Sequence, residues 1–405
     1  MMLALNGDEA VAYAVKQSNV DVIAAFPITP QTIIVEKLSE YVANGELKAY
    51  YACAESEHSA ISMIVGASAA GARTFTATSA NGLALMHEIL YIVSSLRLPV
   101  VMAIVNRALS GPINIHTDHG DSMAERDACW IQIYCEDAQE AYDTVIQAFR
   151  IGENHKVLLP VMVMLDGFLI SHTTQNVDVL EDEKVSNFVK HRIPAEIEVF
   201  GKKVPLTLNP ENEVPLTFGP LDLWDYYFEH KRQQEDAMEK SREVIRKVHD
   251  EYAKISGRSY GNGFIETYNM DSAEYAFICL SSTAGTVKSL IDKLISKGDD
   301  KLGLVRIRTF RPFPYEELPK ALEGVKGVAV LDRSGAFGAM GGPVYNEVRS
   351  ALYDSDVHPF INGYIYGLGG RDMTMEMLKS IYDDLVETVK SGKPKRRIEF
   401  VGVRE

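Results

Sequence analysis

Short apolar runs alternate with amphipathic stretches through the first 165 residues of the chain. The apolar runs predict buried strands, and the amphipathic stretches predict helices between them. The predicted strands cover 22–26, 49–53, 73–78, 99–105, 130–134 and 159–165. The predicted helices cover 31–43, 57–71, 82–95 and 137–154, and a further helix opens at Gly7-Asp8-Glu9-Ala10. Strands joined by helices indicate a parallel sheet with right-handed crossovers.

The pattern weakens after this unit and then resumes. Acidic residues, lysine and proline dominate 176–220, which predicts an extended linker or arm, and a long charged helix follows over 221–256. A second, smaller parallel sheet is predicted from four strands at 275–280, 303–308, 327–331 and 359–364. Helices are predicted at 284–297 and 314–323, and a glycine-rich turn and helix over 335–353. A last helix over 371–395 ends in the basic run Lys393-Pro394-Lys395-Arg396-Arg397. The resulting division is 1–175, 176–258, 259–370 and 371–405.

Composition narrows the class of protein. The 405 residues are 46% hydrophobic with a formal net charge of -15, which indicates a globular chain and argues against a nucleic-acid-binding surface. The N-terminus lacks a signal peptide pattern, and no apolar run is long enough to cross a membrane. The four cysteines lack zinc or iron–sulfur spacing, so we expect a reducing cytosol, no metal on this chain and four small buried side chains (Cys53, Cys129, Cys135 and Cys279).

The sequence Pro27-Ile28-Thr29-Pro30 ends the first apolar run. Each proline fixes its own φ and restricts the residue before it, so the Thr29 hydroxyl is held on a stiff turn. That turn follows the carboxyl end of a strand, where open α/β sheets bind ligands. The alternative is a simple strand-to-helix turn with Pro30 at the first helical position and Thr29 as the N-cap.

Two further strand ends carry groups that could take part in chemistry. Glu57 lies in the first turn of a helix rich in small residues, where a carboxylate either interacts with the helix dipole or serves a dry pocket. The segment Thr76-Ala77-Thr78-Ser79-Ala80-Asn81-Gly82 offers hydroxyls and an amide that could bind a ring or an anion. The alternative for this segment is a run of N-cap residues.

Arg107 directly follows the apolar strand 99–105 and could bind a carboxylate through two hydrogen bonds, or it could form a surface salt bridge. The loop after it holds two histidines and two aspartates within six positions, 116–121, which is typical of a metal site, an acid–base pair or a hydrogen-bonded loop. The glycine-rich stretch 332–343 lacks the spacing of a dinucleotide-binding motif and favours a tight turn.

Four ordered segments together resemble a known family. They are AFPITPQT, AESEHSA, TATSANGLALMHE and NRALSGPINIHTDHGDSMAERD. This order resembles the α subunits of the multi-subunit pyruvate:ferredoxin oxidoreductases, or pyruvate synthases, among the 2-oxoacid:ferredoxin oxidoreductases. The later segments LNPENEVPLTFGPLD, RTFRPFPYEEL, DRSGAFGAMGGP and YGLGGRD fit the same subunit. The resemblance implies an α/β fold, with a pyrimidine-type, thiamine-diphosphate-binding parallel-sheet domain and a smaller transketolase C-terminal-like domain.

The resemblance also implies an activity that exists only in a complex. This activity is the reversible, coenzyme A-dependent oxidative decarboxylation of pyruvate to acetyl-CoA and CO₂, with electrons passed to ferredoxin. The resemblance places the enzyme in the cytoplasm and in anaerobic metabolism. Thiamine diphosphate is shared with a β-type subunit that holds the diphosphate and Mg²⁺, [4Fe-4S] clusters lie on β- and δ-type subunits, and a γ-type subunit completes the assembly. Neither nucleic acid nor membrane is involved. Branched-chain 2-oxoacids or 2-oxoglutarate are alternative substrates, and a non-catalytic scaffold is an alternative of another class.

The family pattern assigns residue roles. Glu57 matches the glutamate that hydrogen-bonds the pyrimidine ring, Thr29 the threonine beside the substrate, and Arg107 the arginine that pairs with the substrate carboxylate. Further cofactor contacts and a neighbouring substrate loop complete the expected site (Pro27, Ile28, Ser79 and Asn81 for the cofactor; Asn114, His116 and Asp118 for the loop).

Overall fold

Two main β-sheets with helical connections organise the chain in a computed structural model that describes residues 1–219, 221–393 and 398–404. The strands are β1 (Met2–Leu5), β2 (Val22–Ala25), β3 (Tyr50–Cys53), β4 (Thr74–Thr78), β5 (Val101–Asn106), β6 (Ile131–Tyr134), β7 (Val161–Asp166), β8 (Gln175–Asp178), β9 (Glu196–Val199), β10 (Lys202–Pro205), β11 (Ile265–Tyr268), β12 (Tyr275–Cys279), β13 (Leu302–Ile307), β14 (Thr309–Arg311), β15 (Gly327–Asp332), β16 (Phe360–Ile365) and β17 (Ile398–Phe400). The helices are α1 (Gly7–Gln17), α2 (Thr32–Ala43), α3 (Glu57–Ala69), α4 (Ala80–Leu85), α5 (His87–Ser95), α6 (Gly120–Ala124), α7 (Ala138–Gly152), α8 (Asp182–Val189), α9 (Tyr227–Ser256), α10 (Thr283–Ile295), α11 (Glu317–Ala321), α12 (Pro343–Tyr353) and α13 (Met375–Ser391), with a 3₁₀ turn at Leu368–Gly370.

The first sheet has the order β14-β6-β7-β5-β4-β2-β3, and β2 to β7 run parallel, which confirms the predicted parallel sheet. Every residue of β4, β5 and β7 is buried, as expected for central strands covered on both faces. The register pairs Ala25 with Cys53 and Asn106 with Asp166, so neighbouring strands end together. The connections that follow β2, β3, β4 and β5 therefore share one edge of the sheet.

The sequence also dictates where several helices begin. The predicted start of α1 at Gly7 is confirmed, because Asn6 and Glu9 form a reciprocal capping box there. The Ser56 side chain accepts a hydrogen bond from the backbone of Ser59 at the start of α3. Such caps fix the first turn of α3, which carries Glu57.

The second sheet has the order β11-β13-β12-β15-β16-β17, and the four predicted strands form its parallel centre. Two strands at its edges were not predicted. β11 pairs with β13 in the antiparallel direction, and β17 pairs with β16. Both strands are too short for their own pattern of apolar and polar residues to predict them. They are strands because they pair with a longer neighbouring strand.

The two sheets are joined by a strand and by buried charge. We call the part of the chain that contains the second sheet, from β11 onward, the second unit, and the part before it the first unit. β14 follows β13 of the second sheet but pairs with β6 of the first sheet in the antiparallel direction. Beside it, the Glu140 carboxylate on α7 accepts hydrogen bonds from Arg306 Nη1 and Arg308 Nε, each at 2.7 Å, and all three side chains are fully buried. Burial raises the pKa of the Glu140 carboxyl, but the two guanidinium groups outweigh it and hold that pKa below its usual range.

The predicted extended arm over 176–220 is wrong in part. β8 pairs with β1, α8 follows it, and β9 and β10 form a hairpin. Apolar residues are sparse here, so the periodicity is faint, yet cross-strand pairing still organises the backbone. The long helix begins at Tyr227 rather than 221.

One predicted helix is divided in two, and the start of another is set by glycines. The predicted helix 82–95 is two helices, α4 and α5, which meet at Met86. In the glycine-rich turn and helix predicted over 335–353, the helix begins at Pro343, because Gly338 and Gly341 take φ values of 84° and 146° that no helix tolerates. The tight turn predicted for this stretch is therefore confirmed, and the loop after Arg107 also contains the short helix α6.

The C-terminal helix α13 ends at Ser391, before a glycine cap with positive φ. Most of the predicted basic end, 394–397, lies outside the described residues. The four-part division of the chain stays a prediction.

The cysteines are not all buried as expected. Cys135 and Cys279 are buried, Cys129 is half-buried, and Cys53 is exposed because β3 is an edge strand of the first sheet. Within the described parts of the chain, no helix has the length and apolar character needed to traverse a lipid bilayer.

Candidate active site

The turn that carries Thr29 is locked onto the sheet. Gln31 is fully buried, and its Nε2 donates to the backbone oxygens of Phe26 at 3.1 Å and Ala77 at 2.8 Å. Helix α2 begins at Thr32 with Gln31 as its N-cap, so the alternative in which Thr29 caps the helix is wrong. Thr29 itself is exposed at the carboxyl edge of the sheet.

The other two residues predicted from this turn differ in exposure. Pro27 is exposed and Ile28 is half-buried. Both lie beside Thr29 on the same short connection, so a ligand that reaches Thr29 passes their surface.

Glu57 is the first residue of α3, and its side chain is only 6% exposed. Ser56 performs the capping, so the Glu57 carboxylate is not needed for that purpose. Among the residues that the structure describes, none donates a hydrogen bond to this carboxylate. A nearly buried carboxylate without a donor is costly unless another molecule supplies one.

Gly82 makes room for the Glu57 carboxylate. A Cβ atom built on Gly82 would lie 2.6 Å from Glu57 Oε1 and 2.4 Å from Thr78 Oγ1, so no other residue fits without displacing one of them. The hydroxyl oxygens of Thr78 and Ser79 are buried and have no hydrogen-bond partner among the described residues. Ser79 precedes α4 but its side chain makes no capping hydrogen bond, so the N-cap alternative for this segment is wrong.

Asn81, the second predicted cofactor contact of this segment, contacts the loop that follows Arg107. Its side chain is exposed, and its Oδ1 accepts a hydrogen bond from the backbone of Ser110 at 3.0 Å. Asn81 therefore holds the start of the loop that follows Arg107.

Arg107 joins the first turn to this loop. Its side chain is 6% exposed; Nη1 donates to the Thr29 backbone oxygen at 2.9 Å and Nε donates to the Asn114 backbone oxygen at 3.2 Å. No carboxylate of the described residues forms an ion pair with it, so the surface salt bridge alternative is wrong. The remaining guanidinium nitrogen, Nη2, keeps its donors for another acceptor.

Two of the three predicted loop residues form hydrogen bonds with Gly369, and the third packs on Phe168. Asn114 Nδ2 donates to Gly369 O at 3.1 Å, and Asp118 Oδ2 accepts from Gly369 N at 3.3 Å. The exposed His116 ring lies 5.0 Å from the Phe168 ring, measured between centroids. In the parts of the chain that are described, no three His, Cys, Asp or Glu side chains gather to hold a metal ion.

The sequence did not single out Asp121, which lies beneath the site. It is fully buried, and its carboxylate accepts hydrogen bonds from Ala80 N at 3.0 Å, Arg107 N at 3.0 Å and Asn106 Nδ2 at 2.8 Å. Burial raises its pKa to about 6, although these hydrogen bonds oppose the shift. Asp121 thus ties the end of β5 to the start of α4.

This raised pKa predicts a pH-dependent stability. The folded chain keeps the Asp121 proton up to about pH 6, whereas the unfolded carboxyl releases it near pH 3.9. The resulting stabilisation is present below about pH 4 and is lost as the pH rises through about 6, up to about 3 kcal/mol in all. We expect Asp121→Asn to weaken the dependence of the free energy of unfolding on pH, measured by urea unfolding of the chain between pH 4 and 7. The exposed Asp271→Asn serves as the control, and an unchanged slope in Asp121→Asn would contradict the assignment.

Asp166, at the end of β7, is a second residue that the sequence analysis missed. His119 Nε2 lies 2.6 Å from Asp166 Oδ1, and Arg333 Nη1 lies 3.4 Å from Oδ2. Burial raises the pKa of Asp166, but Arg333 and His119 outweigh it and hold that pKa well below its usual range. Its position at a strand end was the available signal, but its partners come from distant segments.

Comparisons with known proteins match both halves of the chain to one family of oxidoreductases. Residues 13–250 match the family described as pyruvate flavodoxin/ferredoxin oxidoreductase, thiamine diphosphate-binding, and residues 273–378 match pyruvate:ferredoxin oxidoreductase core domain II. The pyruvate synthase subunit PorA of Thermotoga maritima is 49% identical over 100% of this chain and 98% of its own. The ketoisovalerate oxidoreductase subunit VorA of Pyrococcus horikoshii is 42% identical over 98% of this chain and 96% of its own.

Solved structures show the same fold at low identity. A 2-oxoglutarate:ferredoxin oxidoreductase from Magnetococcus marinus, with 2-oxoglutarate, coenzyme A and succinyl-CoA bound, has a TM-score of 0.72 at 19% identity. The match covers 95% of this chain and 65% of that one. A split-gene transketolase has a TM-score of 0.50 at 12% identity over 96% of this chain and 98% of its own. With the family matches and the full-length relatives, these likenesses lead to one conclusion: the chain belongs to the pyruvate flavodoxin/ferredoxin oxidoreductase family, and its first unit is the thiamine diphosphate-binding domain of that family.

Proposed function

We propose that the chain is the α subunit of a pyruvate:ferredoxin oxidoreductase and acts only in complex with β-, γ- and δ-type subunits. The observation that carries the proposal is the nearly buried Glu57 carboxylate, which lacks a donor and faces the space that Gly82 leaves. Its relatives over the full length include several pyruvate synthase subunits at 42–49% identity. The complex converts pyruvate, coenzyme A and oxidised ferredoxin into acetyl-CoA, CO₂ and reduced ferredoxin, and the reaction is reversible.

The residues present fit the aminopyrimidine end of thiamine diphosphate. A flat heterocycle with its own N–H donor would satisfy Glu57, and the unpartnered hydroxyls of Thr78 and Ser79 lie on the adjacent strand end. Pro27 and Ile28 would line the same edge. When bound, the cofactor supplies the electron sink that decarboxylation requires. We place its diphosphate and Mg²⁺ on a β-type subunit, as the family resemblance implies. We place the [4Fe-4S] clusters on partner subunits, because the cysteines of this chain lack cluster spacing.

Three side chains would act on the substrate and its proton balance. Arg107 directs Nη2 and its remaining donors to the 2-oxoacid carboxylate, and the Thr29 hydroxyl lies on the turn to which Arg107 is bonded. The Glu57 carboxylate would hydrogen-bond the heterocycle. The four free thiols are compatible with a reducing cytoplasm.

Steady-state rates of the purified complex on pyruvate, 2-oxoisovalerate and 2-oxoglutarate test the substrate. We expect the highest kcat/KM for pyruvate. A preference for 2-oxoisovalerate would favour the branched-chain alternative, which the 42% identity to two VorA subunits supports. Turnover of none of the three would favour the scaffold alternative.

Arg107→Lys is expected to raise the KM for pyruvate by about tenfold with a smaller change in kcat. Lysine keeps the charge but cannot donate to the Thr29 and Asn114 backbone oxygens and also bind a carboxylate in a fixed fork. The measurement is steady-state kinetics of the complex with varied pyruvate. The exposed Arg232→Lys is the control, and equal KM values in both variants would contradict the role of Arg107.

A further inference from the structure

We propose that the turn Gly367–Gly370 of the second unit positions Arg107, and so sets the affinity of the site for its 2-oxoacid. This inference rests on the proposed role of Arg107 in binding the substrate carboxylate. It gives the second unit a part in substrate binding beyond a structural one. Gly369 and Asn114 are its positioning residues.

The turn fits closely against the substrate loop. Asn114 Nδ2 donates to Gly369 O at 3.1 Å, and Gly369 N donates to Asp118 Oδ2 at 3.3 Å. A Cβ atom on Gly369 would lie 2.5 Å from Asn114 Nδ2, and one on Gly370 would lie 2.4 Å from His116 Cβ. Both glycines have positive φ, 62° and 79°, so side chains at these positions meet both strain and a clash.

The contact passes directly to Arg107. The Asn114 side chain binds the turn, while its backbone oxygen accepts a hydrogen bond from Arg107 Nε at 3.2 Å. Arg107 Nη1 in turn donates to Thr29 O at 2.9 Å. A shift of Asn114 therefore moves the guanidinium group relative to the turn that carries Thr29.

The far end of the loop is also held by the second unit. His119 N donates to Arg333 O at 2.8 Å, and Asp166 lies between the His119 ring and the Arg333 guanidinium. The end near Arg107 is fixed to the first sheet through Asp121. Between these fixed ends, Asn81 and Phe168 contact the loop from the first sheet, and the turn at Gly369 contacts it from the second unit.

Gly369→Ala in the assembled complex tests the inference. Since a displacement of about 1 Å can cost about 100-fold in rate, we expect kcat/KM for pyruvate to fall at least about tenfold, mainly through KM. Binding of thiamine diphosphate, followed by fluorescence titration of the complex, is expected to stay unchanged. The matched control is Gly298→Ala, in the same unit, which has the same kind of backbone (φ 85°) but no atom within 4 Å of the added Cβ.

A double-mutant comparison separates positioning from general strain. Asn114→Ala is expected to raise KM by a similar factor, and Gly369→Ala combined with Asn114→Ala to raise it little further, because both act through one contact. Asn114→Ala also keeps the test valid if Gly369→Ala fails to assemble. An unchanged KM in Asn114→Ala, or equal KM values for Gly369→Ala and Gly298→Ala, would overturn the inference.

The same data distinguish this inference from the proposed function. If the wild-type complex prefers another 2-oxoacid, the proposed substrate is wrong, while the KM comparison on that acid still decides the role of the turn. If pyruvate is the substrate and KM does not move, the function stands and the inference is overturned.

Discussion

Glu57→Gln is expected to lower pyruvate oxidation by the assembled complex by about 100- to 10,000-fold, the range for losing a positioned acid or base. The carboxylate is nearly buried, and no described residue donates to it. Glutamine has almost the same shape, so it should fit beside Gly82 without a clash, but it cannot hold or release a proton. The measurement is the pyruvate- and coenzyme A-dependent reduction of ferredoxin under anaerobic conditions.

The neighbouring Glu55→Gln provides a matched control, because Glu55 is exposed and lies two residues away in the same segment. Gel filtration should show that both variants assemble with their partners as the wild type does. Activity within a few-fold of wild type in Glu57→Gln would contradict the proposed role and favour a non-catalytic scaffold. Lost assembly in Glu57→Gln alone would instead show that the carboxylate serves the subunit interface.

Much of the site was predictable because parallel strands end at a common edge. The apolar runs predicted the strands, and the three residues that follow them, Thr29, Glu57 and Arg107, were each predicted at the carboxyl end of a strand. The structure places all three at one edge of the first sheet, on the connections that follow β2, β3 and β5, and a direct hydrogen bond joins Arg107 to the Thr29 backbone. Their chemical roles stay predictions.

The long-range contacts that shape the site could not be predicted from the local pattern of apolar and polar residues. Glu57 and Asn114 leave room only for a glycine at positions 82 and 369, respectively. The third pair is the ion pair between Asp166 and Arg333. Each pair is separated by many residues, and no periodicity links its members. For the same reason, the sequence assigned 303–308 to the second unit but could not show that the next strand, β14, crosses to the first sheet.

Glu140→Gln is expected to destabilise the folded chain by about 3–5 kcal/mol, the usual cost of removing one partner from a buried ion pair. Arg308 would keep only neutral acceptors, Thr144 Oγ1 at 2.8 Å and Gly263 O at 3.2 Å. Arg306 would still have Glu266 at 2.8 Å, so the larger loss falls on Arg308. Urea unfolding of the full chain at neutral pH measures the difference.

The pH dependence of the same variant gives an independent check. Because the arginines hold the pKa of Glu140 below that of the unfolded carboxyl, its stabilisation is present above about pH 4.3 and is lost as the pH falls through the lower folded value. Glu140→Gln should therefore lose less stability than wild type on acidification. The exposed Glu323→Gln is expected to stay within about 0.5 kcal/mol of wild type. If Glu140→Gln matched that control, this buried charge cluster would not stabilise the packing of the two sheets, and the β14 pairing and the Asp166–Arg333 contact would have to keep Gly369 against the substrate loop.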